Sequence, residues 1–444
     1  MYSKKTLELL QAKNIAEGDR IRVSKEGNVF EGILLPHPEA SGASPDALII
    51  KLNSGYNVGI ELAKSVTVEK ISARKKLEAI PTAKTVRNAK LPSVALIATG
   101  GTVSSKVNYE TGGVSMLMTP EEILANVPEL ARVANVARVH SPFRIMSEDA
   151  THKEWQKIAL LAAKEANSSD SQGVVVMHGT DTLHYTSAAL SFMLRNLNKP
   201  VALVGAQRSP DRGSFDGAMN LACAAVYAAG PIAEVAVVMH ENESDDHCIA
   251  IPGTKARKMH SSRRDAFKAI NAQSLARISP NGEFIALTKE FAKRSDEKVV
   301  AETGFEPKVA IVKAFPRSTT ELVDFYVGKK FKRLVIEGTG LGHVPTSTLD
   351  EKDSWLPAIK SAVDAGVVVA MTTQCVYGRV HPLVYANARL LHEAGVVYCS
   401  DITSETAFVK LGWLLAKFKK TEDIKRELLI NYAREINPRI TGSE

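Results

Sequence analysis

Four short apolar runs in the middle of the chain most constrain its fold. They lie at 93–98, 173–178, 201–205 and 234–240, and each is followed by a segment with helical spacing. Runs of Val, Ala, Leu and Ile are typical of strands buried on both faces, and their alternation with helices is typical of parallel sheets. After a polar, proline-containing break at 278–307, three similar runs begin at 309, 332 and 366. The sequence therefore predicts an α/β protein with a larger and a smaller, mostly parallel sheet.

The N-terminal region has a different pattern. From residue 18 to about 71, short β-branched segments alternate with turns rich in Gly, Asn, Asp and Pro, which is typical of a small antiparallel barrel. We predict four regions: a barrel with a short N-terminal helix (1–75), a polar basic linker (76–91), a large α/β domain (92–300), and a small α/β domain with a helical tail (308–444). Contact with a protein or RNA partner and a purely structural role explain the barrel equally well.

Composition excludes several classes of protein. The 444 residues are 45% hydrophobic and 24% charged, which is ordinary for a globular protein. Since no apolar run is long enough to cross a bilayer and the N-terminus does not resemble a signal peptide, we expect no membrane association. Four widely spaced cysteines predict a reduced, cytoplasmic protein. The spacing of the histidines predicts no metal site, and the chain has no P-loop for ATP. The net charge of +7 is compatible with nucleic-acid contact.

Two of the predicted strands end in glycine and threonine. The first run leads into TGGT at 99–102 and the second into HGTDT at 178–182. Glycine permits tight turns, and the carboxyl ends of parallel strands meet at one crevice, so Thr102, Thr180 and Asp181 can converge there. Taken alone, each turn is better explained structurally, with Thr102 as a capping residue of a tight turn and Thr180 or Asp181 as the N-cap of the next helix.

The basic segment 255–264 (KARKMHSSRR) adds a lysine to this set. A threonine hydroxyl is a weak nucleophile that needs a base, and a lysine placed among other cations can lose its proton and serve as one. Lys258 is the candidate. The alternative is a solvated lysine in a basic loop. His178 and His184, which flank the GTDT motif, are interpreted as hydrogen-bonded structural groups.

Several separated motifs resemble one enzyme family. ATGGTVSS, HGTDTLHYTS, VALVGAQRSPDRGSFDGAMNL and KMHSSRRDAF occur in this order, and the region from 92 to 415 resembles the L-asparaginase and glutaminase-type amidohydrolases. The resemblance implies two α/β domains and hydrolysis of the side-chain amide of Asn or Gln through an acyl-threonine. It also implies that Thr102 is the nucleophile and that Thr180, Asp181 and Lys258 form the second catalytic group.

The same resemblance implies a substrate site. In the segment SEDA, Ser147 would bind the substrate α-carboxylate, and Glu148 would hold the α-ammonium together with Asp181. Tyr109 would assist the nucleophile. Backbone near Thr180 would stabilise the oxyanion, because glycine-rich turns between strand and helix present N–H donors.

A further backbone segment is assigned to the same oxyanion. Ala206 and Gln207 follow the predicted strand 201–205. Their N–H groups are candidate donors, and packing at the end of the strand is an equally good explanation.

Other features resemble one branch of this family. They are the β-rich extension before residue 72, the YETGGV loop, the KMHSSRRDAF variant and the charged C-terminal tail. They are similar to the glutaminase components of archaeal glutamyl-tRNA(Gln) amidotransferases. The resemblance implies that this chain hydrolyses glutamine without a cofactor of its own. It also implies that a separate E subunit binds tRNA(Gln), uses ATP and Mg²⁺ and receives the ammonia, on a homodimeric core within a heterotetramer.

Two alternatives remain at this point. One is a free-standing cytoplasmic L-asparaginase, since a difference of one methylene between substrates is not decided by these motifs. The other is a non-catalytic RNA-binding scaffold on an inactive hydrolase fold, which the joint presence of Thr102, Thr180, Asp181 and Lys258 argues against.

Overall fold

The computed structural model describes residues 2–37, 44–52, 57–63, 65–73, 88–101, 106–107, 114–115, 127–209 and 214–439. Most of the predicted linker lies outside these residues. The helices in the described part are α1 (Lys4–Ala12), α2 (Leu130–Val133), α3 (His152–Ala166), α4 (Leu183–Met193), α5 (Gly217–Ala229), α6 (Glu321–Gly328), α7 (Leu356–Asp364), α8 (Ala386–Glu393), α9 (Ser404–Lys417) and α10 (Thr421–Leu428).

The strands are β1 (Arg20–Lys25), β2 (Asn28–Leu34), β3 (Ala47–Leu52), β4 (Asn57–Glu61), β5 (Thr67–Ser72), β6 (Ser93–Ala98), β7 (Lys106–Val107), β8 (Val114–Ser115), β9 (Asn135–His140), β10 (Val174–Met177), β11 (Leu194–Arg195), β12 (Val201–Val204), β13 (Val235–His240), β14 (Cys248–Pro252), β15 (Ala256–Lys258), β16 (Phe267–Ala269), β17 (Ala276–Ile278), β18 (Phe284–Ala286), β19 (Val300–Ala301), β20 (Val309–Lys313), β21 (Arg333–Gly338), β22 (Val368–Thr373) and β23 (Val397–Tyr398).

The N-terminal region forms a five-stranded antiparallel sheet in the order β4-β3-β2-β1-β5. Alternate residues of β1, Ile21 and Val23, are fully buried, because successive side chains of a strand point to opposite faces. They pack in one apolar cluster with Leu48 of β3 and Leu10 of α1. The predicted helix and antiparallel strands are therefore present.

The largest sheet has eight strands in the order β18-β17-β14-β13-β12-β10-β6-β9. Five adjacent strands of it, β13, β12, β10, β6 and β9, are parallel. The first four are buried on both faces, whereas β9, at the edge, is only partly buried. Val174 and Val176 of β10 pack with α3 and α4 on one face, whereas Val175 and Met177 pack with α5 on the other. The three strands at the other edge are antiparallel. The sheet is thus mixed, since the chain after β13 turns back directly instead of crossing over through a helix.

The smaller sheet is fully parallel, in the order β20-β21-β22-β23. Its core includes Trp355, Ile336 and Met371. Helix α9 packs against both this sheet and α4 of the larger one. Where α9 contacts α4, the rings of Trp413 and Phe192 stack with their centroids 5.7 Å apart. Helix α9 therefore connects the two sheets. Within the described residues, no helix has the length and apolar character needed to cross a membrane.

Candidate active site

Two glycine turns meet at the carboxyl ends of neighbouring parallel strands. Strands β6 and β10 pair in register from Ala95–Val174 to Ala98–Met177. Gly101 has a φ of +82°, and a Cβ atom there would lie 2.4 Å from the Cα atom of Gly179. Only glycine at position 101 permits this contact. Thr102, the next residue in sequence, and Tyr109 lie outside the described residues.

The segment SEDA lies against the second turn. Its Ser147 begins a 3₁₀ turn, Ser147–Asp149, and is buried. A Cβ atom on Gly179 would lie 2.9 Å from the Ser147 hydroxyl oxygen, so these residues are in contact. Thr182 holds the segment in place, because its hydroxyl donates to the Ser147 carbonyl at 2.6 Å and its N–H donates to the Ser147 hydroxyl at 3.4 Å. Glu148 is exposed beside it.

Lys258 joins the same crevice from a hairpin of β15 and β16. Its Nζ donates to Thr180 Oγ1 at 2.9 Å and to Asp181 Oδ1 at 2.7 Å. Thr180 is buried and the Lys258 side chain is only 10% exposed, whereas the Asp181 side chain is 63% exposed. The structure thus brings together three of the residues proposed for catalysis, although 77 or 78 positions separate the lysine from the other two in sequence.

The alternative interpretation, in which Thr180 or Asp181 caps the next helix, is wrong. Thr182 occupies the N-cap position of α4, and its side chain bonds to Ser147 rather than to the helix. Thr180 and Asp181 instead accept hydrogen bonds from Lys258. Sequence spacing places a cap to within a residue or two, and only the tertiary contact decides which hydroxyl is free for another partner.

The two histidines beside this turn are buried. His178 fits the prediction of a hydrogen-bonded group, since its ring nitrogens pair with the Gly179 carbonyl at 2.7 Å and the Thr186 hydroxyl at 3.0 Å. Burial, together with the charges of Arg257 and Lys258, lowers the pKa of His184 to about 4. Its Nδ1 atom has no hydrogen-bond partner among the described residues, so the prediction does not hold for that ring nitrogen. His184 is therefore neutral at physiological pH.

Ala206 and Gln207 lie at the end of β12. Ala206 is completely buried, and the Gln207 N–H donates to both carboxylate oxygens of Asp216 at 3.0 and 3.1 Å. Because this donor already has a partner, the structure favours packing at the strand end over a role in an oxyanion site. Asp216 was not among the predicted site residues. The local signal at this position is an acidic residue just before α5, which is typical of a helix cap.

Asp216 belongs to a buried polar network. It accepts from Asn220, whose side chain bonds to His240, and burial raises the Asp216 pKa.

The described residues contain no cluster of three or more His, Cys, Asp or Glu side chains suited to a metal ion. The four cysteines are unpaired. What the site offers is an ammonium group bonded to a hydroxyl and a carboxylate, a set that can move protons and bind a zwitterionic substrate.

Comparison with known families agrees with this geometry. Residues 93–290 match the family described as Asparaginase, N-terminal, and residues 308–428 match the Glutaminase/Asparaginase C-terminal domain. Residues 15–71, which form most of the N-terminal sheet, match the GatD N-terminal domain. Among solved structures, a thermostable L-asparaginase from Thermococcus kodakarensis has a TM-score of 0.68 at 27% identity and covers 78% of this chain and all of its own. L-asparaginase I from Vibrio cholerae has a TM-score of 0.66 at 28% identity, over 78% of this chain and 99% of its own.

Relatives of matching length are more similar in sequence. The D subunit of glutamyl-tRNA(Gln) amidotransferase from Pyrococcus abyssi is 49% identical over 97% of both chains. The D subunit of the Thermococcus kodakarensis enzyme is 46% identical over 98% of both. These matches include the N-terminal sheet as well as both α/β regions. The chain therefore belongs to the GatD family, the D subunits of glutamyl-tRNA(Gln) amidotransferases, whose core has the asparaginase fold.

Proposed function

We propose that this chain is the glutaminase component of a tRNA-dependent amidotransferase. It hydrolyses glutamine to glutamate and ammonia, and the ammonia converts Glu-tRNA(Gln) to Gln-tRNA(Gln) on a partner, the E subunit. That partner uses ATP and Mg²⁺ and makes most of the contacts with tRNA(Gln). The amidotransferase names of its relatives and the match of residues 15–71 support this function over a free-standing asparaginase.

The observation that carries the proposal is the contact of Lys258 with Thr180 and Asp181. A lysine is bonded to a threonine hydroxyl at 2.9 Å and is largely withdrawn from water. A charged side chain is not buried in this way without partners, and here the partners are groups suited to proton transfer. The solvated lysine in a basic loop, the alternative left open by the sequence, does not describe this side chain.

The residues divide the reaction between two ends of the substrate. Ser147 offers a buried hydroxyl for the α-carboxylate. Glu148 and Asp181 offer carboxylates for the α-ammonium. Although one oxygen of Asp181 is bonded to Lys258, the Asp181 side chain is exposed and can therefore also contact the substrate. The amide end is assigned to Thr102, which follows Gly101 in the sequence. A hydroxyl and two carboxylates at one end and the Thr102 hydroxyl at the other match free glutamine, which has a carboxylate and an ammonium at one end and an amide at the other.

The chemistry proceeds in two balanced steps. The Thr102 oxygen forms a bond to the amide carbon, the C–N bond breaks, and the departing nitrogen takes up the proton that the hydroxyl loses, which yields ammonia and an acyl-threonine. Water then attacks the ester. For this step Lys258 takes part as the neutral amine: the proton of the water passes through the Thr180 hydroxyl to Lys258, and Lys258 returns a proton by the same route to the departing Thr102 oxygen. Glutamate leaves, and the Thr102 hydroxyl and the neutral amine are both restored.

Assembly and location complete the proposal. The chain forms a homodimeric core that binds two copies of the E subunit in a heterotetramer. It acts in a reducing compartment, the cytoplasm, which agrees with its four unpaired cysteines.

The test is ammonia release from glutamine and from asparagine, measured with and without the E subunit and Glu-tRNA(Gln). We expect glutamine hydrolysis that Thr102→Ala abolishes while co-purification with the partner persists. Rapid turnover of asparagine by the chain alone would favour a free-standing asparaginase. Absence of ammonia release under every condition would favour the scaffold.

A further inference from the structure

The hairpin that carries Lys258 is held at both ends by residues from the C-terminal region. At its start, the Lys255 ammonium donates to Asp401 Oδ2 at 2.7 Å and to the Asp401 carbonyl at 2.9 Å. The two side chains are 0% and 2% exposed. The Ile270 N–H donates to the Lys255 carbonyl at 2.8 Å and closes the base of the hairpin. Lys255 is therefore fixed three residues before Lys258.

The other end is fixed by Asn271, two residues after β16. Its side-chain amide exchanges two hydrogen bonds with the backbone of Gly378, at 2.7 and 2.9 Å. The Asn437 amide then donates both to the Asn271 carbonyl and to Asp401 Oδ2, and the Asn437 N–H donates to Asp401 Oδ1 at 2.9 Å. Asn437 thus ties the two ends together. We call Lys255, Asn271, Gly378, Asp401 and Asn437 the clasp.

We infer that the clasp positions Lys258 against Thr180, so that Asp401 and Asn437 are positioning residues for the reaction. The inference rests on the proposed function. Among the described residues, their side chains form hydrogen bonds with Lys255, Asn271 and each other. Neither side chain has a hydrogen bond with Thr180, Asp181 or Lys258 in this part of the chain. Both residues act through the hairpin, whose strands have three residues each. Beyond these strands, one backbone hydrogen bond continues the hairpin at each end, from Ile270 to Lys255 and from Met259 to Ala266.

Two physical arguments support this role. A two-stranded hairpin is at best marginally stable by itself, so this one depends for a fixed position on the clasp and on the core packing of its buried Phe267. A buried ion pair such as Lys255–Asp401 adds little net stability when its geometry is imperfect. Removing one partner nevertheless destabilises the protein strongly, because the other charge is left buried and unpaired, so the two residues stay together in the folded protein. A displacement of about 1 Å in a catalytic group can lower the rate about 100-fold.

The test compares Asn437→Ala with a matched control, Asn167→Ala. Asn167 is the C-cap of α3, and its side-chain amide also exchanges two hydrogen bonds with a distant backbone, at Val299. We expect Asn437→Ala to increase deuterium uptake over residues 256–269 and to lower kcat for glutamine about tenfold with KM changed less than about twofold. The control variant leaves uptake in that segment and kcat near wild type.

Other results would overturn the inference. Uptake over 256–269 or kcat that is the same in Asn437→Ala as in Asn167→Ala removes the positioning role. Asp401→Asn leaves Lys255 without its carboxylate, and the inference requires that this variant also increases deuterium uptake over residues 256–269. If the wild-type complex releases no ammonia from glutamine, the proposed function fails, and the uptake comparison still decides whether the clasp holds the hairpin.

Discussion

Replacing Lys258 with methionine removes the ammonium group and keeps a side chain of similar length. In the structure this deletes the hydrogen bond to Thr180 and the ion pair with Asp181. If Lys258 serves proton transfer, kcat for glutamine hydrolysis falls by about 10² to 10⁴, which corresponds to about 3 to 5 kcal/mol of transition-state stabilisation.

Stability changes much less. Asp181 is 63% exposed, and ion pairs with an exposed partner contribute about 0 to 1 kcal/mol, so the melting temperature shifts by no more than about 3 °C. The loss of activity is therefore separable from unfolding. A purely structural lysine would give the reverse pattern, with a small change in kcat and a larger change in melting temperature.

The assay is steady-state ammonia release with the complete complex, with melting temperature measured on the same samples. Lys268→Met is the matched control, since Lys268 lies on the other strand of the same hairpin and pairs with Asp265 at 3.0 Å, away from Thr180. We expect the control to retain at least about half of wild-type kcat, as is usual for exposed charges. A Lys258→Met variant that also retains half would refute the proton-transfer role.

Three further outcomes follow from the structure. Gly101→Ala forces a Cβ atom into the neighbouring turn at a positive φ, and we expect a loss of at least about 2 kcal/mol in denaturant unfolding and near-complete loss of ammonia release. Because His184 has a folded-state pKa of about 4 instead of 6.5, it contributes about 3 kcal/mol that is present above pH 6.5 and lost as the pH falls towards 4. His184→Gln therefore flattens the pH dependence of stability over that range, measured by denaturant unfolding. Glu435→Gln leaves the fully buried Lys410 without its carboxylate, which costs about 3 to 5 kcal/mol in urea unfolding, and adding Lys410→Met restores part of that loss.

The strands were predictable because burial leaves a local signature. Strand β6 occupies 93–98 as predicted, and β10, β12 and β13 begin within one residue of the predicted runs. The TGGT and HGTDT turns could be assigned to one edge of the sheet, since parallel strands with helical crossovers share a direction. The antiparallel strands after β13 were missed because they are three to five residues long and carry no distinctive period.

The sequence by itself determined the two α/β regions, the glycine turns and the residue types of the site, because apolar periodicity and backbone freedom at glycine are local properties. The tertiary structure decided which groups pair. Thr180 accepts a hydrogen bond from Lys258 instead of capping a helix, and the Gln207 N–H donates to Asp216. Asn437 donates to Asn271, at the end of the hairpin and 166 residues earlier in the sequence. These contacts depend on the packing of the two α/β regions and of the C-terminal segment that contains Asn437, so the nearby sequence does not encode them.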